Sequence, residues 1–299
     1  MEFLQLKYFQ KVAKLEHITK AAEELQIAQP SLSNTIARLE NDIGVPLFDR
    51  QGRQIKLNRF GKIFLEQVNK SLMELEEGKR AVQDLAGLSK GSITFSSSIS
   101  KILPEIIGGF LAKYPDVQFR QLIEPISSMK KSLDNGEIDF CMSSLPFDDS
   151  EIEWQPLITE EIFLIVPKNH KFAGRKSVRL CELHSETFIN LNAGYGYRKI
   201  TDKFCKDAGF IQNVSFEVGE PYAIVRLVEQ GVGVAFIPAL DWLSPTDDIN
   251  DRIQIVEPTC QLTIGLAWSK NRYLSLAALE FKKFITDYFK KISSDIKSI

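Results

Sequence analysis

The 299 residues contain no apolar run long enough to cross a membrane, so no membrane-spanning segment is expected. Cysteine is scarce: Cys141, Cys181, Cys205 and Cys260 are scattered and never form a C-x-x-C pair. That spacing argues against a disulfide framework or a cysteine-built zinc site and suits reduced thiols in a cytoplasmic protein. The three histidines, His17, His170 and His184, lie far apart, which points to surface or capping positions and not to a metal or base cluster. Glycine motifs are equally thin. Gly194-Tyr195-Gly196 lacks the third glycine of a dinucleotide loop and the lysine of a P-loop. Gly87-Leu88-Ser89-Lys90-Gly91 fits a nucleophile-elbow pattern, yet it follows a predicted helix and precedes a predicted strand, the reverse of an elbow. No catalytic residue, metal ligand or cofactor is expected. The opening residues carry charges every few positions and no small-residue cleavage site, so no secretory signal is expected.

What is present is a globular composition. Hydrophobic residues make up 44% and charged residues 25%, which excludes disordered, coiled-coil-only and collagen-like classes. The length implies two or three domains. Charge is uneven along the chain. Residues 1–62 hold ten Lys and Arg against seven Asp and Glu, while the rest carries an acidic surplus of five. A basic head on an acidic body suggests a nucleic-acid partner for the head alone.

The first 45 residues read as three short helices. Leu4, Tyr8, Phe9, Val12 and Ala13 recur at helical spacing. A second helix is predicted to open at Thr19 as its N-cap, and a third near Pro30, whose missing N–H costs nothing in a first turn. The third carries Leu32, Ile36, Leu39 and Ile43 on one face and stops at Gly44. Two helices joined by a short turn form a helix-turn-helix. Residues 46–57 then read as a hairpin with Gly52 in its tip, a wing. From Asn58 to Leu85 a sparse stripe of Phe64, Val68, Leu72, Leu75, Val82 and Leu85 runs along one long helix, with a bend expected at Gly78. So narrow a stripe implies a partner helix from a second chain.

Beyond Gly91 strands and helices alternate, which predicts an α/β domain with largely parallel sheets. The stretches 132–140 and 227–235 share one helix–Gly–strand plan, giving two similar lobes with a late strand crossing back to the first. The expected boundaries are 1–58 for the winged head, 59–87 for the linker helix, 88–91 for a hinge and 92–299 for the body. Within the body, lobe I covers about 92–161 and 269–292, and lobe II about 162–268.

These residues resemble the LysR-type transcriptional regulators. The head match is carried by Phe9, Ile18-Thr19-Lys20-Ala21-Ala22, Leu25, Gln29-Pro30-Ser31-Leu32-Ser33, Ile36, Leu39-Glu40, Gly44-Val45-Pro46-Leu47-Phe48-Asp49-Arg50 and Gly61. The body match rests on Leu103-Pro104, Tyr114-Pro115, Gly136-Glu137-Ile138-Asp139 and Gly231-Val232-Gly233-Val234-Ala235-Phe236-Ile237-Pro238. The chain departs from the family pattern at Ala28, where a hydroxyl is usual, at Asn34, where arginine is common, and at the Asn58-Arg59-Phe60-Gly61 entry to the linker helix. The resemblance implies a winged helix-turn-helix and linker helix followed by a two-lobed, periplasmic-binding-protein-like (type II) α/β effector domain. It further implies a homodimer or tetramer on double-stranded promoter DNA.

The N-terminal residues of the second helix of a helix-turn-helix enter the major groove, where Gln and Asn can read adenine bidentately. The DNA-contacting candidates are therefore Thr19, Gln29, Pro30, Ser31, Ser33, Asn34 and Arg38, with Arg50 and Arg53 of the wing reaching phosphate or minor groove. Ligands of two-lobed α/β domains sit at strand ends, where hydroxyls beside free helix N–H groups suit a carboxylate or another anion. Ser98, Ser100, Lys101, Ser128 and Ser144 of the first lobe, with Asn192 and Tyr195 of the second, are the effector candidates; helix capping is the plain alternative for each serine. Two other classes compete. A small-molecule binding module without a DNA target would leave no footprint, and a two-lobe enzyme would need a clustered acid–base pair that the sequence does not offer.

Overall fold

The computed structural model describes residues 1–51, 54–86, 91–97, 102–242 and 252–296. The chain divides into two units, residues 1–89 and 90–299.

In the first unit, α1 (Phe3–Leu15), α2 (Ile18–Glu24) and α3 (Gln29–Ile43) precede the hairpin β1 (Phe48–Gln51) and β2 (Gln54–Leu57), and α4 (Arg59–Leu85) follows. Phe9 of α1 is fully buried, with its ring 5.5 Å from that of Phe48 and 5.3 Å from that of Phe64. The turn between α2 and α3 is closed by main-chain bonds from Ile27 N–H to the Ala22 carbonyl and from Gln26 N–H to the Glu23 carbonyl. Gln26 takes a left-handed φ of 56° to make them, a conformation that usually falls to glycine. α2 starts two residues earlier than predicted. Its cap is His17, whose Nδ1 accepts the Lys20 N–H, so Thr19 lies inside the helix and caps nothing. α3 begins after Ala28 without a side-chain cap.

Polar side chains lash the wing to the helices. Glu40 accepts the N–H groups of Leu47 (2.7 Å) and Phe48 (3.3 Å), and Glu16 accepts that of Leu57 at 3.0 Å. Asn58 caps α4 by accepting the Gly61 N–H and donates to the Pro46 carbonyl, so this departure from the family entry keeps a capping function. Gly61 itself has no room for a β-carbon, which would collide with the Leu47 carbonyl oxygen.

The long α4 is one continuous helix through Gly78. Its stripe is also split: Val68 and Leu72 are buried in the head's own core, whereas Leu75, Val82 and Leu85 are 58%, 66% and 90% exposed. The small domain therefore covers half of the stripe, and only the far half is left open.

The second unit runs β3 (Ser92–Ser97), α5 (Leu103–Lys113), β4 (Gln118–Leu122), α6 (Ile126–Asp134), β5 (Phe140–Ser143) and β6 (Ile152–Ile165). It continues with β7 (Ser177–Val178), β8 (Thr187–Leu191), α7 (Gly196–Asp207), β9 (Asn213–Val218) and α8 (Pro221–Glu229). β10 (Ala235–Pro238), β11 (Ile253–Ile255), β12 (Gln261–Ser269) and α9 (Leu276–Ile296) complete it. The main sheet has the order β4-β3-β5-β12-β6-β11-β7, with β10 also on β6 and a separate β8-β9 pair. The sheet is mixed and not largely parallel. β12 runs antiparallel to both β5 and β6, and β10 and β11 run antiparallel to β6. The late strand does cross back, and it does so over its whole length. Residues 261–268, expected in lobe II, pair with 153–161 and with β5. The 14-residue β6 joins the lobes, pairing with β12 at one end and with β10 and β11 at the other.

Phe281 of α9 anchors the core of the first lobe. It is fully buried, and its ring lies 5.0 to 6.1 Å from those of Phe119, Phe110, Phe95 and Phe140. Edge-to-face packing of this kind adds to the burial itself. Gly136 takes a left-handed φ of 62°, which favours glycine, with the Arg272 guanidinium packed against it.

Candidate nucleic-acid interface and effector cleft

The exposed face of α3 is set by its buried one. Leu32, Ile36 and Leu39 fill the head core, which turns Ser31, Asn34 and Arg38 outward along the opposite side, with Gln29 and Pro30 exposed in the first turn. Ser33 is half-buried and its hydroxyl accepts the Gln29 amide N–H at 3.3 Å. Thr19 is exposed on α2 beside Lys20. In the wing, Arg50 pairs with Ile55 across the hairpin. The Arg50 side chain and the whole of Arg53 lie outside the described residues. Two exposed cations near the wing base, Lys56 opposite Asp49 and Arg59 over the Phe60 ring at 4.6 Å, were not singled out by sequence reasoning. Only the hairpin register shows that they stand there.

Of the effector candidates, Ser98, Ser100 and Lys101 lie outside the described residues, as does most of the Gly87–Gly91 segment. The others come from three elements. Ser144 follows the end of β5; it is 7% exposed, and its hydroxyl oxygen has no hydrogen-bond partner among the described residues. Ser128 is the third residue of α6 and half-buried; helix α6 starts at Ile126, so Ser128 does not cap it. Tyr195 is the N-cap residue of α7 and sends its hydroxyl to the Gly219 carbonyl at 3.3 Å, while Asn192 is exposed just before it. Helix α7 begins at the buried Gly196, ahead of the helix that the sequence pattern suggests from Lys199.

That early start creates the geometry. A β-carbon on Gly196 would lie 2.9 Å from the Ser144 hydroxyl oxygen, 3.6 Å from Leu145 Cδ1 and 3.7 Å from Ile126 Cδ1. The starts of α6 and α7 and the end of β5 thus meet at one point. Neither helix has a side-chain cap, so both leave N–H groups and the positive ends of their dipoles for another acceptor. The neighbouring cation is already spent: Arg198 binds Asp202 at 2.8 Å, Glu217 at 2.9 Å and the Leu191 carbonyl at 3.0 Å. Burial works against its charge, but those carboxylates outweigh burial and raise its pKa. Beside the junction, the Trp154 indole N–H donates to the Ser143 hydroxyl at 3.1 Å, which in turn donates to the Leu145 carbonyl at 2.7 Å.

Other chemistry has little footing. Among the described residues no group of three or more His, Cys, Asp or Glu is placed to hold a metal. All four cysteines are free, and burial pushes the thiols of Cys205 and Cys260 up to about 12. Among the described residues no helix is long and apolar enough to cross a membrane.

Two family models match the chain. Residues 3–62 match the bacterial regulatory helix-turn-helix protein, lysR family, and residues 88–290 match the LysR substrate binding domain. The chain is 38% identical to YybE of Bacillus subtilis, named as an HTH-type transcriptional regulator, with 97% of this chain and 99% of the relative covered. It is 33% identical to the transcriptional dual regulator GltC of the same organism, with coverage of 98% and 99%. Its fold matches the crystal structure of full-length CbnR complexed with target DNA at a TM-score of 0.71 and 23% identity, over 95% of this chain and 99% of that one.

Proposed function

The chain belongs to the LysR family of bacterial transcriptional regulators, and from that premise we propose how its parts divide the work. The head, about residues 1–58, reads operator DNA through Gln29, Ser31, Asn34 and Arg38 of α3, with Thr19 and Pro30 at the edges and Arg50 and Arg53 at the wing. α4 pairs with a second copy through Leu75, Val82 and Leu85. The body takes a small anion where α6, α7 and Ser144 meet, with Ser128, Asn192, Tyr195 and the 98–101 loop around it. We read this as binding without catalysis, in the cytoplasm.

The observation that carries the reading is the buried Ser144 hydroxyl without a partner, lying against the uncapped start of α7. Leaving such a group unsatisfied costs about 1–3 kcal/mol. A carboxylate oxygen there would accept from the hydroxyl and from the helix N–H groups together. The head reading is supported by the exposed polar face of α3 and by the likeness to CbnR, which was crystallised with its target DNA.

The test is footprinting on the DNA upstream of the protein's own gene at several salt concentrations. Protection should weaken steeply with salt, and Arg38→Ala should lower the slope of log affinity against log salt by about 1. An unchanged slope with full affinity would remove Arg38 from the interface. No protection on that DNA or on neighbouring promoters would leave the binding-module reading in its place.

A further inference from the structure

A groove of about 300 Å³ lies on the body between α5 and α9, lined by Lys113, Glu280, Lys283, Phe284, Asp287, Tyr288 and Lys291. That volume is at the small end of ligand pockets and suits a molecule with one ring. The groove runs along α5, from Lys113 at its C-terminal end to Tyr288, whose hydroxyl donates to Glu105 in the first turn of that helix. None of its lining residues is among the effector candidates Ser128, Ser144, Asn192 and Tyr195.

Its floor is aromatic. Phe284 and Tyr288 stand one turn apart on α9, and the facing turn of α5 carries two glycines in succession. A β-carbon on Gly109 would come 3.2 Å from the tip of the Phe284 ring, while one on Gly108 would have nothing within 4 Å. Glycine is a poor residue inside a helix. At Gly109 the missing side chain lets the Phe284 ring pack against α5.

The rim carries more cations than anions. Lys113, Lys283 and Lys291 line it against the carboxylates of Glu280 and Asp287. Glu280 accepts the Tyr114 hydroxyl at 2.6 Å, Glu105 accepts the Tyr288 hydroxyl at 3.0 Å, and Asp287 is 3.7 Å from Lys290. Lys283 has no carboxylate partner among the described residues. The lining thus has a net of one positive charge, on a stretch, residues 63–299, whose overall balance is acidic.

We propose that the α5–α9 groove is a second ligand site, taking a small aromatic monocarboxylate. The ring lies on Phe284 and Tyr288, and the carboxylate meets Lys283 with Lys113 and Lys291 beside it. Because α5 runs from this groove to the cleft loop, occupancy that favours one position of α5 would alter effector affinity, and the reverse would hold to the same degree.

Calorimetry on the full chain with phenylacetate tests the site, with acetate as the probe without a ring and 2-phenylethanol as the probe without a charge. Phenylacetate should bind and both truncated probes should bind more weakly. Lys283→Glu, at an exposed position, should weaken phenylacetate about fivefold or more without changing the melting temperature. Ser144→Leu, which blocks the proposed effector site, should leave phenylacetate binding intact. Absence of phenylacetate binding at about 20 mM, an affinity too weak to matter, overturns the proposal. So does binding that Ser144→Leu removes and Lys283→Glu leaves unchanged. Failure of Ser144→Leu to alter effector response would instead count against the cleft and leave this groove standing.

Discussion

A β-carbon placed on Gly196 would lie 2.9 Å from the hydroxyl oxygen of Ser144. One residue opens α7 and the other follows β5, so a hydroxyl of the first lobe closes on a helix start of the second. The close approach suits glycine, and the Ser144 oxygen has no partner of its own among the described residues. A site shared by two lobes in this way registers their separation, because a ligand that holds both stabilises only the closed arrangement.

Gly196→Val should therefore abolish effector response while operator binding without effector persists. The valine fills the space against Ser144 and displaces whatever the helix N–H groups hold. Gel shifts with and without a panel of small carboxylic acids, alongside Trp154 fluorescence, are the measurement. A variant that still responds at wild-type concentrations would place the effector elsewhere.

On α4, Leu72 and Leu75 differ by less than one turn and should behave in opposite ways. Leu72 is buried in the head core, so Leu72→Ala should cost the head about 2–5 kcal/mol in denaturation. Leu75 is exposed in the single chain. Leu75→Lys combined with Val82→Lys should leave head stability nearly unchanged and shift sedimentation toward the monomer. Dimers of normal affinity in that double variant would move the contact off the exposed half of α4.

Much of this arrangement was legible in the sequence because its signals are local. The stripe through Leu32, Ile36 and Leu39, the stop at Gly44 and the helix–Gly–strand plan of 132–140 are each written within a few residues. The first half of β6 was not legible. Pro156 and a run of polar residues hide a strand whose hydrogen bonds go to β12, about a hundred residues later. The preference of Thr over His for caps misplaced the start of α2, since Ile18 already packs against the core. Ser144 was visible as a hydroxyl at a strand end. Gly196 was not singled out, because what makes it matter is a neighbour remote in sequence and carries no local trace.

Two helical glycines show how far space outweighs propensity. Gly108→Ala adds a methyl where nothing lies within 4 Å and should stabilise the body by about 1 kcal/mol. Gly61→Ala drives the same methyl into the Leu47 carbonyl, a backbone atom that cannot rotate away, and should cost about 1–3 kcal/mol. It should also loosen the wing base and weaken operator binding. Thermal melts of the two variants should move in opposite directions; equal shifts would mean that the Asn58–Gly61 turn relaxes freely.

Glu186 supplies a pH-dependent tie in the second lobe. Burial pushes its carboxyl up, but Lys171 at 2.5 Å and His170 at 3.0 Å outweigh burial and hold it below the usual carboxylate range. The His170 ring accepts the Phe172 N–H at Nδ1, which leaves Nε2 to donate to Glu186. A carboxylate depressed in the folded state contributes stability above its unfolded value of about 4.3, and that stability is lost as pH falls through the folded value. Glu186→Gln keeps the shape and removes the titration. Urea midpoints should therefore differ most between wild type and variant near neutral pH, and the gap should close as the solution is acidified below about pH 4. A gap that stays constant down to acid would assign the loss to hydrogen-bond geometry instead of charge. A gap that widens on acidification would reverse the sign and place the pKa of Glu186 above the ordinary range.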